Sequence, residues 1–536
     1  MKKLKLVCVA IAMAGAAPTF AGGLLTNTNQ HVAFNRMMSR EASIGIDGVY
    51  YNPAGVVFMG EGHHLAINWQ LAYQTRTINN DYKLFTNNVN NPITPRDFKG
   101  KAFAPVIPSF QYAYNKGKWS FQANFSLTGG GGKCTFDDGL GSFEKIVSET
   151  AIAACGLAGV VDQTLGNTLG QQGMEMFTSD QAFGKTGKYS FNSYMHGRQY
   201  YYGLSAGAAY KFCDNFSAFL GVRGVYALTN YYGYVENINV GNMPLYKVLD
   251  PTKENAANIE LSCDQTGVGF TPIIGVDYKT GRWNFSAKYE FKTRIRLKNK
   301  SVNQTPSIGN LPANLANQMT GILTAKYQQA GLPLEQAKQQ AENTTNTVLS
   351  DPKVGATMMG LKTQFDQKLN KAIGEYEDGK KIAGDIPAYL ALGIGYSPVD
   401  AVRVNVGFHW FDDKNATSYN NRNKELKRGT LEYNAGVEVD VNKKITLSTG
   451  WQNTNYGLSD EYMDDKSFVV SSNSAAIGGV YHINKKMDLN VAYFHTFYQH
   501  KKTSETVQLA ADKSIVYNSD YTRNNNVFAV GLDINF

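Results

Sequence analysis

The feature that most constrains this chain is a strict alternation of apolar and polar side chains that continues to its last residue. Every second position of residues 527–536 is apolar: Phe528, Val530, Leu532, Ile534 and Phe536. A period of two residues is that of a β-strand with one apolar and one polar face. Because the pattern recurs along most of the chain and ends on an aromatic residue, it predicts an all-β transmembrane barrel, apolar toward lipid and polar toward the lumen.

Two internal segments show the same division, with charged residues on the polar face. In residues 283–297 the odd positions, including Ile295 and Leu297, are predicted to face lipid, while the even positions face the lumen. In residues 402–410 the even positions are apolar, and Arg403 and His409 are predicted to face inward. The core of a soluble β-sandwich would exclude so many charges, so the polar faces are predicted to line a wet interior.

Short and long connections alternate between the predicted strands. Six tight turns rich in Asn, Gly, Asp, Pro and Lys alternate with seven longer polar segments, which gives fourteen antiparallel strands. An even number of strands returns both termini to the periplasm. Two connections, residues 129–197 and 299–385, are long enough to hold helices and are predicted to be large extracellular loops.

The N-terminus has the organisation of a signal peptide. A basic start, an apolar stretch over residues 6–17 and a small-residue cleavage site predict that residues 1–21 are removed. Residues 22–62 do not alternate, and we expect the barrel itself to occupy residues 63–536. Wall side chains cannot fill a lumen of fourteen strands, so residues 22–62 are predicted to be a plug, or hatch, inside it.

One motif in the hatch carries a family resemblance. Residues 47–55 read Asp-Gly-Val-Tyr-Tyr-Asn-Pro-Ala-Gly, which resembles the hatch signature of the FadL/TodX-type outer-membrane transporters of long-chain fatty acids and other hydrophobic molecules. The resemblance extends to the signal peptide, the strand count, the two helical loops and the aromatic end. It places four residues in the hatch: Asn52, Pro53, Ala54 and Gly55.

The resemblance also implies a route for the ligand. A hydrophobic molecule would land on the outer loops and move to a pocket beside the hatch N-terminus, near Leu24 and Leu25. It would then leave sideways through a gap in the wall, which we expect near residues 128–132, where four glycines weaken strand pairing. The predicted function is therefore passive transport of long-chain fatty acids or similar molecules.

A fatty-acid carboxylate would need a cation in the lumen. Four arginines are predicted to face inward and are candidates: Arg223, Arg294, Arg296 and Arg403. Each of them could instead balance a lumenal carboxylate, such as Glu290, Glu432 or Glu438.

Two other functions remain open from the sequence. Haem uptake would use His63, His64 or His409, and a structural barrel serving secretion would keep the hatch as a permanent seal. An enzyme is not expected, since the Gly-x-Ser-x-Gly match at residues 203–207 lies within a strand rather than at a strand-to-helix turn. The sequence predicts no cofactor, no metal site and, without a clustered basic stripe at a net charge of +8, no nucleic-acid binding.

The expected location is the bacterial outer membrane, and the expected partners are a hydrophobic small molecule, outer-membrane lipid and the barrel assembly machinery, which would engage the strand ending at Phe536. Four cysteines remain after residue 21, and export would permit disulfides, with all three pairings open. They are Cys134, Cys155, Cys213 and Cys263.

Overall fold

The computed structural model describes residues 24–306, 310–510 and 513–536, and its main element is one closed antiparallel sheet. The first strand, Gly62–Tyr82, pairs with the last, Lys513–Asn535, from His64 opposite Asn535 to Tyr82 opposite Tyr517. Every other strand pairs with its neighbours in sequence, so fourteen strands form a barrel and the prediction is confirmed. The proposed signal peptide, residues 1–21, lies outside the described residues.

The wall strands are numbered in chain order, and three of them consist of two pieces. They are β1 Gly62–Tyr82, β2 Arg96–Lys116, β3 Trp119–Phe136, β4 Tyr189–Cys213, β5 Phe216–Val240, β6 Ile259–Thr280, β7 Trp283–Glu290 with Arg296–Gln304, β8 Lys381–Ala383 with Tyr389–Val399, β9 Val402–Phe411, β10 Thr430–Asn442, β11 Ile445–Asn455, β12 Ser472–Asn484, β13 Met487–Tyr498 with Lys501–Ala510, and β14 Lys513–Asn535.

Helices lie before the barrel and in its long connections. In the described part of the chain they are α1 Val32–Met37, α2 Gly48–Tyr51, α3 Gly141–Leu169, α4 Tyr246–Leu249, α5 Leu311–Gln329, α6 Leu334–Leu349 and α7 Pro352–Ile373. The two largest connections are residues 137–188 and 305–380, shorter than the predicted 129–197 and 299–385, because β3, β4, β7 and β8 extend further than the alternation indicated.

The end of the barrel that carries the long connections, which we call the outer end, holds the largest apolar cluster of the described residues. We call it the outer cluster. It joins the ends of β1 and β2 to α3, α5, α6 and α7, and includes Tyr82, Phe85, Phe143, Met319 and Val348. By length and composition α3 could cross a membrane. Its buried residues instead pack against the outer ends of the strands and against the other helices.

The alternation of faces follows the prediction along most strands. In β1, Ile67, Trp69 and Tyr73 are 41–43% exposed on the outer surface, while Asn68 and Gln70 between them are buried in the lumen. Apolar side chains exposed on a closed barrel are those that contact hydrocarbon. The wall therefore has a lipid face and a polar inner face, as the period of two requires.

Strand β7 departs from the prediction because its two faces exchange halfway. Glu290 faces the lumen, but after the interruption at residues 291–295 the buried residues are Ile295 and Leu297, at 0% and 4% exposure. Arg294 and Arg296 are exposed instead. A shift of one residue moves every following side chain to the opposite face. The prediction that these two arginines line the lumen is therefore wrong.

The four described cysteines are free thiols. Cys134 and Cys263 are buried within β3 and β6, Cys155 is partly buried in α3, and Cys213 is exposed at the end of β4. Of the pairings that the sequence left open, none is formed in this structure.

Candidate functional site in the lumen

The lumen is occupied by the segment that precedes β1. All residues from 26 to 57 except Ile44 and Gly45 are buried. Helix α1 packs against the inner faces of β10, β11, β12 and β13, where glycines leave room for it. A Cβ added at Gly436 or Gly450 would collide with the carbonyl oxygen of Met37, and one at Gly478 would lie 2.6 Å from the Cβ of Arg36. The wall is thus shaped to receive this helix.

The Asn-Pro-Ala-Gly motif lies against the wall near the end of the barrel that carries the short turns. The amide of Asn52 donates to the carboxylate of Asp277 in β6 at 2.6 Å, and its Oδ1 accepts from the backbone N–H of Gly55 at 3.1 Å. A Cβ at Gly55 would collide with the same amide nitrogen. Asparagine supplies both the donor and the acceptor here, and glycine supplies the space.

The two middle residues of the motif contact other strands through their carbonyl groups. The carbonyl of Pro53 accepts from Nε2 of Gln122 in β3 at 2.7 Å. The carbonyl of Ala54 accepts from Oγ of Ser217 in β5 at 2.7 Å. The four residues therefore fasten the segment to three strands of the wall.

Buried ion pairs fasten the middle of the segment to the opposite wall. Arg40 binds Asp47 through Nε at 2.7 Å and Glu438 of β10 through Nη1 at 2.8 Å, and Arg36 also reaches Glu438, at 2.6 Å. Removing one member of such a network leaves an uncompensated buried charge, at a cost of about 3–5 kcal/mol. The network therefore holds residues 36–47 in place.

A second buried group joins the segment to β9 and β10. The ring of His409 contacts Glu41 through Nε2 at 2.7 Å and Glu432 through Nδ1 at 2.8 Å. Both nitrogens are engaged, so His409 is not placed to ligate an iron. His64 is likewise engaged, by Asn535 and by the carbonyl of Gly60. Among the described residues no group of three or more His, Cys, Asp or Glu side chains is arranged for a metal ion.

The two predicted arginines that do face inward are neutralised by carboxylates. Arg223 forms a bidentate pair with Glu290 at 2.5 and 2.9 Å. Arg403 pairs with Asp440 and Glu438. For Arg223 and Arg403 the contacts therefore agree with the alternative prediction, in which each arginine balances a lumenal carboxylate.

The two arginines of β7 lie elsewhere. Arg296, whose side chain is 52% exposed, pairs with the buried Asp385 at 2.8 Å, and Arg294 is exposed. The structure therefore does not gather the four predicted arginines into one site.

The wall is interrupted between β2 and β3. The two strands pair over Gly100–Phe103 with Lys133–Phe136 and again over Phe110–Lys116 with Trp119–Phe125. Between these ladders, residues 104–109 of β2 and 126–132 of β3 face each other without pairing. We call this interruption the wall gap.

The local sequence explains the wall gap. Pro105 and Pro108 of β2 have no N–H to donate to a ladder. On β3, Gly130 and Gly131 have φ values of 69° and 130°, which favour glycine and bend the strand inward. The four glycines within residues 128–132 were the signal noted in the sequence, and the two prolines were the signal that was missed.

The inward bend of β3 is held by the start of the lumenal segment. Thr26 forms a bridge with Gly129, the N–H of Asn27 donates to the carbonyl of Thr128 at 2.9 Å, and its Nδ2 donates to the carbonyl of Gly130 at 2.7 Å. Backbone groups that β2 leaves unpaired are thus satisfied from inside the barrel. The segment and the gap form one unit.

An apolar cluster, the gap cluster, lies behind the wall gap. Its members come from α1, α2 and the wall: Phe34, Met38, Tyr50, Tyr51, Ala72, Ala104, Ile107, Leu127, Ala476, Phe494 and Val527. On the lipid side the gap is flanked by Phe103 and Val106, at 55% and 61% exposure. Apolar surface therefore borders the gap on both sides.

A second lumenal cluster, the Leu25 cluster, forms where β7 and β8 are interrupted. It contains Tyr201, Val225, Ala227, Ile295, Leu297, Ile382 and Ile386, with Leu25 and Tyr419 packed against it. The exchange of faces in β7 brings Ile295 and Leu297 here, which the sequence did not predict. Leu25, one of the two predicted ligand residues, packs against this cluster.

The first described residue is tied to an outer connection. The N–H of Leu24 donates to Oδ1 of Asp413 at 3.2 Å, and the N–H of Thr430 donates to Oδ2 at 2.9 Å. Asp413 lies in the connection between β9 and β10, and burial raises the pKa of its carboxyl to about 6. The contact at Leu24 therefore involves a group that titrates close to neutral pH.

Comparisons with known proteins identify solved structures with the same fold. No family model and no curated protein matches the sequence. Among solved structures, a Pseudomonas aeruginosa FadL homologue is 14% identical, with a TM-score of 0.58 over 96% of this chain and 100% of that chain. The deltaS2S3 mutant of the TodX monoaromatic hydrocarbon channel is 13% identical, with a TM-score of 0.50 over 94% of this chain and 99% of that one.

The chain is therefore a plugged fourteen-stranded transmembrane barrel. Its fold is that of the FadL/TodX-type proteins, and the resemblance noted in the hatch motif is confirmed at the level of the fold.

Proposed function

We propose that the chain transports hydrophobic molecules, long-chain fatty acids among them, passively across the bacterial outer membrane. The ligand is captured at the outer cluster, passes into the lumen between the gap cluster and the Leu25 cluster, and leaves into the membrane through the wall gap. The names of the two structures with the same fold, a FadL homologue and a monoaromatic hydrocarbon channel, support this class of ligand.

The observation that carries the proposal is the wall gap, with apolar surface on both of its sides. Each buried CH₂ contributes about 0.8 kcal/mol, so an acyl chain binds apolar clusters strongly but crosses a charged region poorly. The periplasmic half of the lumen is filled by ion pairs such as Arg40 with Asp47 and Arg223 with Glu290. A lateral exit keeps the ligand in contact with apolar surface throughout.

Other parts of the proposal concern location and processing. Residues 1–21 serve as the signal peptide, residues 22–62 as the hatch and residues 63–536 as the barrel, with both termini in the periplasm. The strand ending at Phe536 is the segment offered to the outer-membrane assembly machinery. Leu24 and Leu25 contribute to ligand binding at the hatch N-terminus.

The proposal is tested by filling the wall gap. Ala104 faces inward at the first unpaired position of β2 and is 7% exposed. Replacing it by Leu and then by Trp adds increasing bulk to the opening. We expect uptake of a fluorescent long-chain fatty acid by cells to fall progressively, by about tenfold for Ala104→Trp, which corresponds to about 1.4 kcal/mol on the transport barrier.

The matched control is Ala475→Trp, which adds the same side chain at an exposed position on the lipid face of β12. Heat-modifiable migration in gels shows that each variant forms a closed barrel. Uptake by a folded Ala104→Trp variant equal to that of wild type would rule out the lateral route.

A second function is not proposed, because no observation favours one. Haem uptake from the lumen would require a histidine with an accessible ring nitrogen, and His409 has both nitrogens bound to carboxylates.

A further inference from the structure

A buried arginine outside the networks described above lacks partners for most of its guanidinium group. Arg76 faces the lumen from β1 and is 0% exposed. Its Nε donates to Oε1 of Gln74 at 3.2 Å. In the described part of the chain, its Nη1 and Nη2 have no hydrogen-bond acceptor and no carboxylate pairs with it. Every other lumenal arginine discussed above has a carboxylate.

A second arginine lies directly opposite. Arg523 of β14 is the cross-strand partner of Arg76, is 5% exposed, and donates from Nη2 to the same Oε1 of Gln74 at 2.6 Å. The guanidinium of Arg76 lies 5.9 Å from the ring centre of Phe468, and that of Arg523 lies 5.1 Å from that of Tyr498. Like charges directly opposite each other destabilise a sheet, and of the two arginines it is Arg76 whose Nη atoms lack a hydrogen-bond partner.

The arginine pair lies between two apolar clusters. Two residues along each strand, on the side of the long connections, Ile78 and Tyr521 pair with each other and belong to the outer cluster. Four residues along each strand in the opposite direction, Ala72 and Val527 pair with each other and belong to the gap cluster. A ligand that moves from the outer cluster to the gap cluster along β1 and β14 therefore passes the guanidinium groups.

We propose that Arg76, with Arg523 facing it, binds the carboxylate head group of an amphiphilic acid while the apolar tail lies in one of the adjacent clusters. The two Nη atoms of a guanidinium match the two oxygens of a carboxylate. The inference rests on the proposed function and narrows it, because it makes acids, rather than neutral hydrocarbons, the preferred substrates. Aromatic and aliphatic acids share this head group.

The test compares an acid with a neutral molecule of the same chain length. The full chain in lipid nanodiscs is titrated with laurate and with 1-dodecanol at pH 8, where the acid is ionised. We expect wild type to bind laurate at least about tenfold more tightly than dodecanol. In Arg76→Gln the laurate affinity should fall by about tenfold while the dodecanol affinity stays unchanged, since the loss of one charge-assisted contact is of that size.

The matched control is Arg294→Gln, which removes an exposed arginine from the outer surface and should change neither affinity. A folded Arg76→Gln variant with wild-type laurate affinity would overturn the inference. If that variant does not fold, wild type decides: equal binding of laurate and dodecanol overturns the inference alone, whereas no binding of either probe overturns the proposed function with it. Repeating the titration with benzoate and benzyl alcohol separates aromatic from aliphatic acids.

Discussion

At the scale of single residues, the Asn-Pro-Ala-Gly motif acts through its backbone as much as through its side chains. Asn52 supplies a donor to Asp277 and an acceptor to Gly55, while Pro53 and Ala54 offer carbonyls to the wall. A buried polar group is costly unless it is hydrogen-bonded. The motif therefore marks an anchored part of the hatch, which leaves the part before it, residues 24–30, as the part that touches the wall gap.

Asp413, which holds the N–H of Leu24, gives a pH-dependent prediction. Its pKa is raised from 3.8 to about 6 in the folded protein. Because the folded pKa is the higher one, the contribution of this group to stability is fully present below about pH 4 and is lost as the pH rises through about 6. A pKa difference of about 2 between the folded and unfolded states changes the free energy of unfolding by about 3 kcal/mol.

We expect Asp413→Asn to remove this dependence. Denaturant unfolding in lipid vesicles at pH 5 and pH 8 should show wild type losing stability relative to the variant as the pH rises. Parallel curves for the two proteins between pH 5 and pH 8 would show that the buried carboxyl does not govern stability there.

At the scale of elements, interrupted strands account for the gap cluster and the Leu25 cluster. Pro105, Pro108 and the glycines of β3 produce the wall gap, and the break in β7 turns Ile295 and Leu297 inward to form the Leu25 cluster. Helix α1, in contrast, packs against continuous strands in which glycines take the place of larger inward side chains. The strands that hold α1 are therefore not the strands whose interruptions produce the wall gap and the Leu25 cluster.

The seating of α1 leads to a prediction about one methyl group. Gly450→Ala places a Cβ against the carbonyl of Met37, so α1 must shift, at a cost of about 1–3 kcal/mol. Hydrogen exchange of residues 32–38 should accelerate relative to wild type. Gly275→Ala is the control, since a Cβ there meets its nearest neighbours at 3.6 Å, an ordinary contact. Equal exchange rates in the two variants would contradict the account of how α1 is held.

At the scale of the whole molecule, the barrel is a wall that needs a filling. Fourteen strands enclose more space than their own side chains fill, and residues 24–61 occupy that space. Ion pairs with Glu438 hold this segment on one side of the barrel, and the Asn-Pro-Ala-Gly motif holds it on the other. The outer cluster covers the opposite end. In the proposed function the ligand passes around this filling rather than through it, and it leaves through the wall gap.

Removing part of the filling tests this arrangement. Deleting residues 24–45 keeps the anchored motif but removes α1 and the ion pairs of Arg36 and Arg40 with Glu438. We expect the barrel to fold and its single-channel conductance in planar bilayers to rise well above that of wild type, because water replaces the deleted residues. Fatty-acid uptake through the side route should fall, since Asn27 no longer holds the bend of β3. Unchanged conductance and uptake would exclude a role for this segment.

The strand count, the lipid face and the hatch motif were predictable from the sequence, because a period of two and the alternation of short and long turns are local properties. The sequence also indicated the glycine run at the wall gap. It could not determine which arginines face the lumen, because one irregular stretch at residues 291–295 reverses the remainder of β7. Nor could it find Arg76 opposite Arg523, since the two residues meet only when the first strand closes against the last. Faces and pairings that depend on register across the whole barrel are decided only by the tertiary structure.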